Sequence, residues 1–353
     1  MIWRESNRPP SSGSLATGSG GHCVPVRSSR CLTHRRCHSA QDRSMTQNKG
    51  LQIVGLGEAV FDIFEEETIL GGAPLNVAVC AHQCIAAAGG AGIVASRVGR
   101  DALGRQLIRD FESRHMETRY IQIDDDRPTG KVLVSMKGNQ PDYEICKPAA
   151  WDALQMDGRW VELASHCDAV CFGTLAQRSA VSREAIERFL TAASGAVRLL
   201  DINLRQDFYS PSILDTCLQW ASAAKLNEEE LGIISPLLNL ETSNSAGACT
   251  QLLQKYELNF VALTRGEQGI ELHNSSGMAQ APATSYPEHP HADSVGAGDA
   301  AAVGLMIGTC LGCSSDETLE LAAHLGGYLA SVPGATPKLP AELIRRVGLT
   351  RTD

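Results

Sequence analysis

Residues 293–299 have the sequence D-S-V-G-A-G-D, and the apolar, alanine-rich stretch over 298–311 predicts a helix that begins inside this turn. Backbone N–H groups at a helix N-terminus bind anions, and glycine lets them approach a phosphate closely. A carboxylate in the first turn, here Asp299, can accept a proton from an attacking hydroxyl. The turn is therefore a candidate site of phosphoryl transfer. The alternative is a capped helix in which the aspartate only complements the helix dipole.

Two common nucleotide-binding loops are missing from the sequence. G-x-x-x-x-G-K-[ST] does not occur, and G-x-G-x-x-G does not follow the first predicted strand at residues 51–55. Both loops owe their function to glycine spacing that lets backbone amides surround a phosphate. The sequence therefore disfavours P-loop and dinucleotide-binding proteins.

Short apolar runs alternate with helix-forming stretches from residue 50 onward. Strands are predicted over residues 51–55, 91–96, 169–172, 198–202, 224–226 and 260–264. Helices are predicted over residues 74–88, 102–114, 182–194, 213–221, 249–256 and 298–311. This alternation is typical of an α/β fold with three layers, in which helices cover both faces of a mostly parallel sheet.

Two segments, at about residues 61–70 and 119–146, interrupt the alternation. The second contains apolar runs at 131–136 and 143–145 on either side of the turn-prone sequence G-N-Q-P. Such runs predict hairpin strands that lie apart from the main sheet. A small β-strand lid beside the α/β core is expected, because closing lids exclude water from reactive intermediates.

Composition and charge exclude several classes of protein. Of the 353 residues, 43% are hydrophobic, but no run approaches the ~20 apolar residues that a membrane-spanning helix needs. The formal net charge is −9, with residues 1–50 contributing +6 and the remainder −15. An acidic body of this kind repels nucleic acid. We therefore expect a soluble protein without a nucleic-acid or membrane partner.

The twelve cysteines are scattered and form no CxxC…CxxC pair. Cys310 and Cys313 alone have CxxC spacing, at the end of an apolar helical pattern, where buried thiols are favoured over a metal or redox site. This usage fits a reducing cytoplasm, which is the expected location.

Residues 1–48 differ from the rest of the chain, since Ser, Gly and Arg dominate and hydrophobic periodicity is absent. We predict an N-terminal extension that either is disordered or is not part of the native chain, which then starts at Met45. An organelle transit peptide is an alternative, although Pro and Gly interrupt any amphipathic helix. The cluster of Cys23, Cys31 and Cys37 near His34 and His38 could also bind zinc, but its spacing fits no familiar zinc finger.

Four motifs resemble those of the PfkB, or ribokinase-like, family of carbohydrate kinases. The turn at 293–299 is similar to the family signature D-T-x-G-A-G-D, with Ser294 in place of Thr. Residues 71–78 (G-G-A-P-L-N-V-A), 227–230 (N-E-E-E) and 264–269 (T-R-G-E-Q-G) resemble G-G-x-x-x-N-x-A, N-x-x-E and T-x-G-x-x-G, in the family's order. The resemblance implies a ribokinase-like domain over residues 49–345 that uses ATP and Mg²⁺.

The resemblance also implies roles for single residues. Asp299 would be the general base, the amides of Gly296, Ala297 and Gly298 the anion hole, and Arg205 either a stabiliser of transition-state charge or part of a structural salt bridge. The sugar would contact Asp62, Gly71, Gly72, Asn76 and Asn203. The nucleotide would contact Asn227, Thr264, Gly266, Gly269, Gly298 and His324.

The metal sites that the resemblance implies are of two kinds. Glu230 would hold hydrated Mg²⁺ through water. The backbones around Asp293, Val295 and Gly334 resemble a loop that binds K⁺, so a potassium requirement is left open. A homodimer formed through the lid is likewise left open, since lid strands often carry dimer contacts in the family.

The choice of sugar depends on residues 73–74 of the first glycine motif and on residue 144 of the lid. Ala73 and Pro74 stand where kinases of phosphosugars and ribokinases carry a basic residue, and they resemble fructokinases and 2-keto-3-deoxygluconate kinases, as does D-I-N-L-R at 201–205. A sugar acid needs a cation, but Glu144 follows the lid residue Tyr143. A neutral sugar, with fructose first, is therefore expected. The alternatives are another PfkB sugar kinase, including one for 2-keto-3-deoxygluconate, and a catalytically silent PfkB-like sugar sensor.

Overall fold

The computed structural model describes residues 50–65, 67–137, 140–240 and 244–347. The predicted extension over residues 1–48 lies outside the described residues. The strands are β1 Gln52–Leu56, β2 Val60–Ile63, β3 Thr68–Gly71, β4 Ala91–Gly99, β5 Ile121–Asp124, β6 Gly130–Lys137, β7 Gln140–Ile145, β8 Ala169–Gly173, β9 Val197–Asp201, β10 Ala223–Asn227, β11 Phe260–Thr264, β12 Ile270–Asn274 and β13 Gly277–Ala281. The helices are α1 Ala73–Ile85, α2 Ala102–Ser113, α3 Gly158–His166, α4 Ala180–Ala192, α5 Pro211–Trp220, α6 Glu228–Leu237, α7 Ser245–Lys255, α8 Ala297–Leu311, α9 Ser315–Ala330 and α10 Ala341–Val347.

Nine strands form the main sheet, in the order β13-β12-β11-β10-β9-β8-β1-β4-β5. Every neighbouring pair from β11 to β5 is parallel, whereas β12 and β13 form an antiparallel hairpin at one edge. Parallel strands need crossover connections, and the intervening helices supply them. The expected α/β fold with a mostly parallel sheet is confirmed.

Helices cover both faces of this sheet, so the three-layer arrangement is confirmed as well. Neighbouring side chains of a strand point to opposite faces. In β1, Val54 packs in a core that contains Trp160 and Phe189, while Ile53 packs in the other core with Val303 of α8. Both layers are apolar at these positions, because a strand buried on both faces has no side that can contact water.

The lid is a second sheet of four strands, in the order β3-β2-β6-β7. Its β2 and β6 pair in parallel, and the two outer pairs are antiparallel. The expected lid segment at 119–146 is corrected at its start, because β5 pairs with β4 in the main sheet. Ile121 is only 4% exposed and packs with α1 and α2, and this burial holds β5 in the core rather than the lid.

Helix α8 begins immediately after Gly296, whose φ of 80° lies in the left-handed region that side chains with a Cβ disfavour. That glycine turns the chain so that the first turn of α8 lies at the carboxyl edge of the parallel strands, where open α/β sheets bind ligands. Within the described part of the chain, none of the helices has the length and apolar character needed to span a bilayer.

Candidate active site

The first turns of α1 and α8 meet through a side-chain hydrogen bond. Asn76 Nδ2 donates to Asp299 Oδ2 at 2.8 Å, which joins two motifs that are 223 residues apart in sequence. The carbonyl oxygen Oδ1 of Asn76 is buried and has no hydrogen-bond partner among the described residues. The acceptor of this amide is therefore available to a ligand hydroxyl, while its donor orients the carboxylate.

Asp299 has the environment of a base that works near neutral pH. Burial, helped by the charge of nearby Asp201, raises its pKa to about 6, against the opposing hydrogen bond from Asn76 and the charges of Lys225 and Arg205. Such a carboxylate is ionised at pH 7 and is still a better proton acceptor than an exposed aspartate.

The amides at the start of α8 differ in what they contact. The first N–H groups of a helix have no partner within the helix. Of the three predicted anion-hole amides, Ala297 N–H donates to the carbonyl of Ser294 at 3.2 Å. Gly298 N–H belongs to the free first turn, and Gly296 immediately precedes it. The turn therefore presents a mixture of available and engaged donors.

Four of the predicted sugar-binding residues lie where the lid meets the core, and the fifth, Asn203, follows a strand of the main sheet. Gly71 ends β3 opposite β2, and a Cβ at Gly71 would lie 3.2 Å from Asp62 Oδ2. Gly72, with φ 110°, caps α1 and accepts from Asn76 N–H at 2.9 Å. Asn203 follows β9 with a φ of 42°, a left-handed conformation that asparagine tolerates better than most residues.

Arg205 lies near several acids rather than in one ion pair. Its Nη1 donates to the carbonyl of Leu204 at 3.1 Å. Its positive charge opposes the rise that burial causes in the pKa of Asp62, Glu58 and Asp299. The guanidinium therefore acts electrostatically on all three acids of the sugar side.

Glu58 is a buried acid that the sequence analysis did not identify. It follows β1, is 2% exposed, and its Oε2 has no hydrogen-bond partner among the described residues. Burial, helped by the charge of nearby Asp299, raises its pKa to about 7, against the opposing effects of a backbone hydrogen bond and of the charges of Arg205 and Arg178. Its place directly after a buried strand of a parallel sheet is the sequence signal that could have identified it.

Lys225 and Asp201 form a buried ion pair that the sequence analysis also missed. Lys225 Nζ lies 2.8 Å from both carboxylate oxygens of Asp201, and the two side chains are 7% and 4% exposed. A lysine in the otherwise apolar strand A-A-K-L-N was the available signal, because buried lysines are nearly always paired.

The nucleotide-side residues form caps and turns. Asn227 and Glu230 make a capping box at the start of α6, in which Asn227 Oδ1 accepts from Glu230 N–H at 2.8 Å. Glu230 Oε2 accepts from Asn227 N–H and Oε1 from Leu204 N–H, each at 2.9 Å. Each oxygen keeps one lone pair. Glu230 thus fits a water-mediated contact with Mg²⁺ better than direct ligation.

Thr264 ends β11 beside Asn227, and its hydroxyl donates to the carbonyl of Leu226 at 3.3 Å. Gly266 and Gly269 follow in a turn with φ values of 54° and 95°. His324 on α9 shares a hydrogen bond of 2.9 Å with the hydroxyl of Tyr286. Thr264, Gly266 and Gly269 therefore lie at the carboxyl end of β11, whereas His324 lies in the middle of α9.

Asp293 connects the two loops of the predicted potassium site. Its carboxylate accepts from Val295 N–H at 3.1 Å and from Gly334 N–H at 3.1 Å. The three residues are therefore brought together. No group of three or more His, Cys, Asp or Glu side chains suited to a metal occurs among the described residues. Backbone carbonyls and phosphates, rather than such a cluster, would have to supply the ligands.

Known proteins of the same kind match almost the whole described chain. The family model described as pfkB family carbohydrate kinase matches residues 50–342. Fructokinase of Escherichia coli is 29% identical over 318 residues, which cover 81% of this chain and 95% of that protein. Fructokinase of Salmonella typhimurium is 27% identical over 313 residues, with the same coverage of 81% and 95%.

The solved structures show the same fold. Fructokinase of Xylella fastidiosa with bound ATP superposes with a TM-score of 0.71 at 21% identity, covering 84% of this chain and 97% of that one. The 2-dehydro-3-deoxygluconokinase of Thermotoga maritima gives 0.68 at 17% identity, covering 86% and 99%. The fold, the joined motifs and the match over residues 50–342 agree, and the chain belongs to the pfkB family of carbohydrate kinases.

Proposed function

We propose that this ATP-dependent carbohydrate kinase transfers the γ-phosphoryl group of ATP to a hydroxyl of a neutral sugar, and that the sugar is fructose. The hydrogen bond between Asn76 and Asp299 carries the proposal, because it brings the base of one motif to the sugar-side amide of another. A carboxylate oriented beside a bound hydroxyl is what general-base catalysis requires.

The chain's own residues divide the reaction between them. Asp299 accepts the proton of the attacking hydroxyl, and Asn76 and Asp62 hold the neighbouring hydroxyls. The amides at Gly296 and Gly298 and the charge of Arg205 stabilise the negative charge of the transferring group. Mg²⁺, when bound through water near Glu230, supplies charge neutralisation for the phosphates.

Charge at the sugar side supports a neutral substrate. Glu58, Asp62 and Asp299 gather around Arg205, so the positive charge available to a sugar carboxylate is already opposed by acids. On the lid, Tyr143 is followed by Glu144 rather than by the cation that a sugar carboxylate would need, and Glu144 lies on the opposite face of the lid sheet from Tyr143. The likeness to fructokinases points the same way.

A homodimer through the lid and a bound K⁺ are part of the proposal. Leu133 on the lid sheet is 42% exposed, and a second subunit that packs on this face of the lid would cover it. The Asp293 carboxylate holds the two loops whose carbonyls would bind K⁺. We place the enzyme in the cytoplasm, where ATP is available and cysteines stay reduced.

The test is ADP release with ATP and Mg²⁺ across fructose, glucose, ribose, 2-keto-3-deoxygluconate and adenosine. We expect kcat/KM for fructose to exceed that for every other acceptor by at least about tenfold, a difference of about 1.4 kcal/mol in transition-state binding. Selective turnover of the sugar acid would replace fructose with the alternative substrate. Binding of ATP without turnover of any acceptor would identify a silent sugar sensor.

A further inference from the structure

The buried ion pair of Lys225 and Asp201 lies directly under the first turn of α8. A Cβ built on Gly298 would be 3.2 Å from Lys225 Nζ and 3.7 Å from its Cε. The ammonium group therefore touches the helix turn whose amides face the phosphoryl group. It approaches closely because residue 298 has no side chain.

Asp201 holds this ammonium in one position. Both carboxylate oxygens accept from Lys225 Nζ at 2.8 Å, and the two strands β9 and β10 are neighbours in the sheet, with Lys225 directly paired to Asp201. A lysine side chain has rotational freedom that would otherwise let it leave a narrow site. The bidentate contact removes that freedom and leaves one N–H of the ammonium outside the pair.

We propose that Lys225, held by Asp201, is a positioning residue for phosphoryl transfer, which keeps a positive charge beneath Gly298 and beside the carboxylate of Asp299. The proposal rests on the function proposed above, since it assumes that Asp299 is the base. The charge acts in two ways: it supports the anion that forms at the start of α8, and it keeps Asp299 ionised although it is buried.

The groups around Asp299 come from every element that packs against it. Asp201 on β9 raises its pKa, whereas Lys225 on β10, Arg205 after β9 and the amide of Asn76 on α1 lower it. Acids and thiols also face it, namely Glu58 after β1, Cys80 on α1 and Cys171 on β8. Lys225 and Asp201 therefore shift the pKa of Asp299 in opposite directions, and the two shifts can be measured separately.

The experiment measures the pH profile of kcat/KM for the best acceptor, at saturating ATP and Mg²⁺, in Lys225→Met and Asp201→Asn. Turnover requires ionised Asp299, so activity falls as pH decreases through its pKa. Loss of the lysine charge should move this acid limb upward by about one pH unit, and loss of the aspartate charge should move it downward. The alkaline plateau of Lys225→Met should be about tenfold lower.

Arg198→Met is the matched control, because Arg198 is a half-buried cation at the opposite end of β9, where its Nε donates to the carbonyl of Trp220. Its acid limb should not move. Since Lys225→Met leaves a buried aspartate unpaired, it can fail to fold. The double variant Asp201→Asn/Lys225→Met removes both charges and should return the limb close to the wild-type position.

The outcomes separate this proposal from the proposed base. An acid limb that stays in place in both single variants, or moves the same way in both, overturns the role of Lys225. That result leaves the base intact provided that Asp299→Asn is still inactive. An active Asp299→Asn variant overturns the base itself. If Lys225→Met does not fold, Asp201→Asn is compared with the double variant, which differs from it only in the lysine: an acid limb at higher pH in the double variant supports the role of Lys225, and equal limbs overturn it.

Discussion

The proposed sugar side and the proposed nucleotide side of the candidate active site are built differently. On the sugar side, the groups are side chains with charge: Asp62, Asn76 and Asp299 lie among buried acids and one arginine. On the nucleotide side, Asn227 and Glu230 cap a helix, and Gly266 and Gly269 shape a turn of the backbone. On the proposed assignment, proton transfer depends on single charged side chains, whereas the nucleotide side depends on helix capping and on glycines whose positive φ other residues rarely adopt.

Asp299→Asn should have the largest effect. A small effect would contradict the view that the chemistry depends on single side chains of the sugar side. We expect kcat to fall by about 10³-fold, because general-base catalysis contributes roughly 10²–10⁴-fold. The melting temperature should rise, since burial raises the pKa of Asp299 and the folded state therefore disfavours its ionised form at pH 7. ADP release and thermal melting on the same samples measure both.

The stability part of this prediction has a definite pH dependence. A carboxyl with a folded-state pKa of about 6 binds protons more tightly than it does in the unfolded chain. Its contribution to stability is therefore present at low pH and is lost as pH rises toward about 6. The gain in Asp299→Asn should be seen at pH 7 and should vanish below about pH 4. An equal gain at both pH values would contradict the burial of this charge.

Asn76→Ala should have the next largest effect. The amide loses its hydrogen bond to Asp299, and since that bond lowers the pKa of Asp299, the acid limb of kcat/KM should move to higher pH. We expect kcat/KM to fall by about 10²-fold, because the variant also loses a contact to the sugar. The KM for ATP should change little.

Gln83→Ala is the control for that variant, because Gln83 lies on the same helix and bonds to Pro337 and Leu339, away from Asp299. It should keep the wild-type pH profile. An Asn76→Ala enzyme with an unmoved acid limb would show that the amide binds sugar without orienting the base.

Asn227→Ala should have the smallest effect on catalysis, and it tests whether the nucleotide side contributes mainly to ATP binding. The variant removes the cap of α6, which costs about 1 kcal/mol of stability. The KM for ATP should rise by roughly threefold to tenfold, as expected for loss of one hydrogen bond, while kcat for the sugar stays near wild type. Titration with ATP at fixed fructose measures it. A loss of kcat as large as that of Asn76→Ala would show that the nucleotide side affects the chemical step as strongly as the sugar side does.

The alternation of apolar runs and the four motifs were enough to predict the fold class and the family. Periodicity depends on which faces a segment buries, and a parallel strand such as β1 buries both, so the signal is strong. It was weaker for β5, whose place in the main sheet depends on Ile121 packing against two helices. The hairpin of β12 and β13 at the sheet edge was also missed, because each strand has only five residues and β13 is largely exposed.

Contacts between segments that are distant in sequence limit how much of the candidate site could be predicted. The hydrogen bond from Leu204 N–H to the carboxylate of Glu230 gives that carboxylate a second structural role. It joins two motifs, and nothing in their sequences indicates that they are in contact. The pair of Lys225 and Asp201 depends on strand order, since β9 and β10 must be neighbours before the charges can meet. Sequence patterns predict elements well and predict pairs of side chains poorly for this reason.

The hydrogen bond between Asn76 and Asp299 has a consequence for the synthesis of the enzyme. Its two ends are separated by 223 positions, so the ribosome makes the donor well before the proposed base. An incomplete chain on the ribosome, or a fragment cut between α1 and α8, holds one member of this hydrogen-bonded pair without the other. On the proposed mechanism, such a polypeptide has no oriented base, and phosphoryl transfer begins only after α8 has folded against α1.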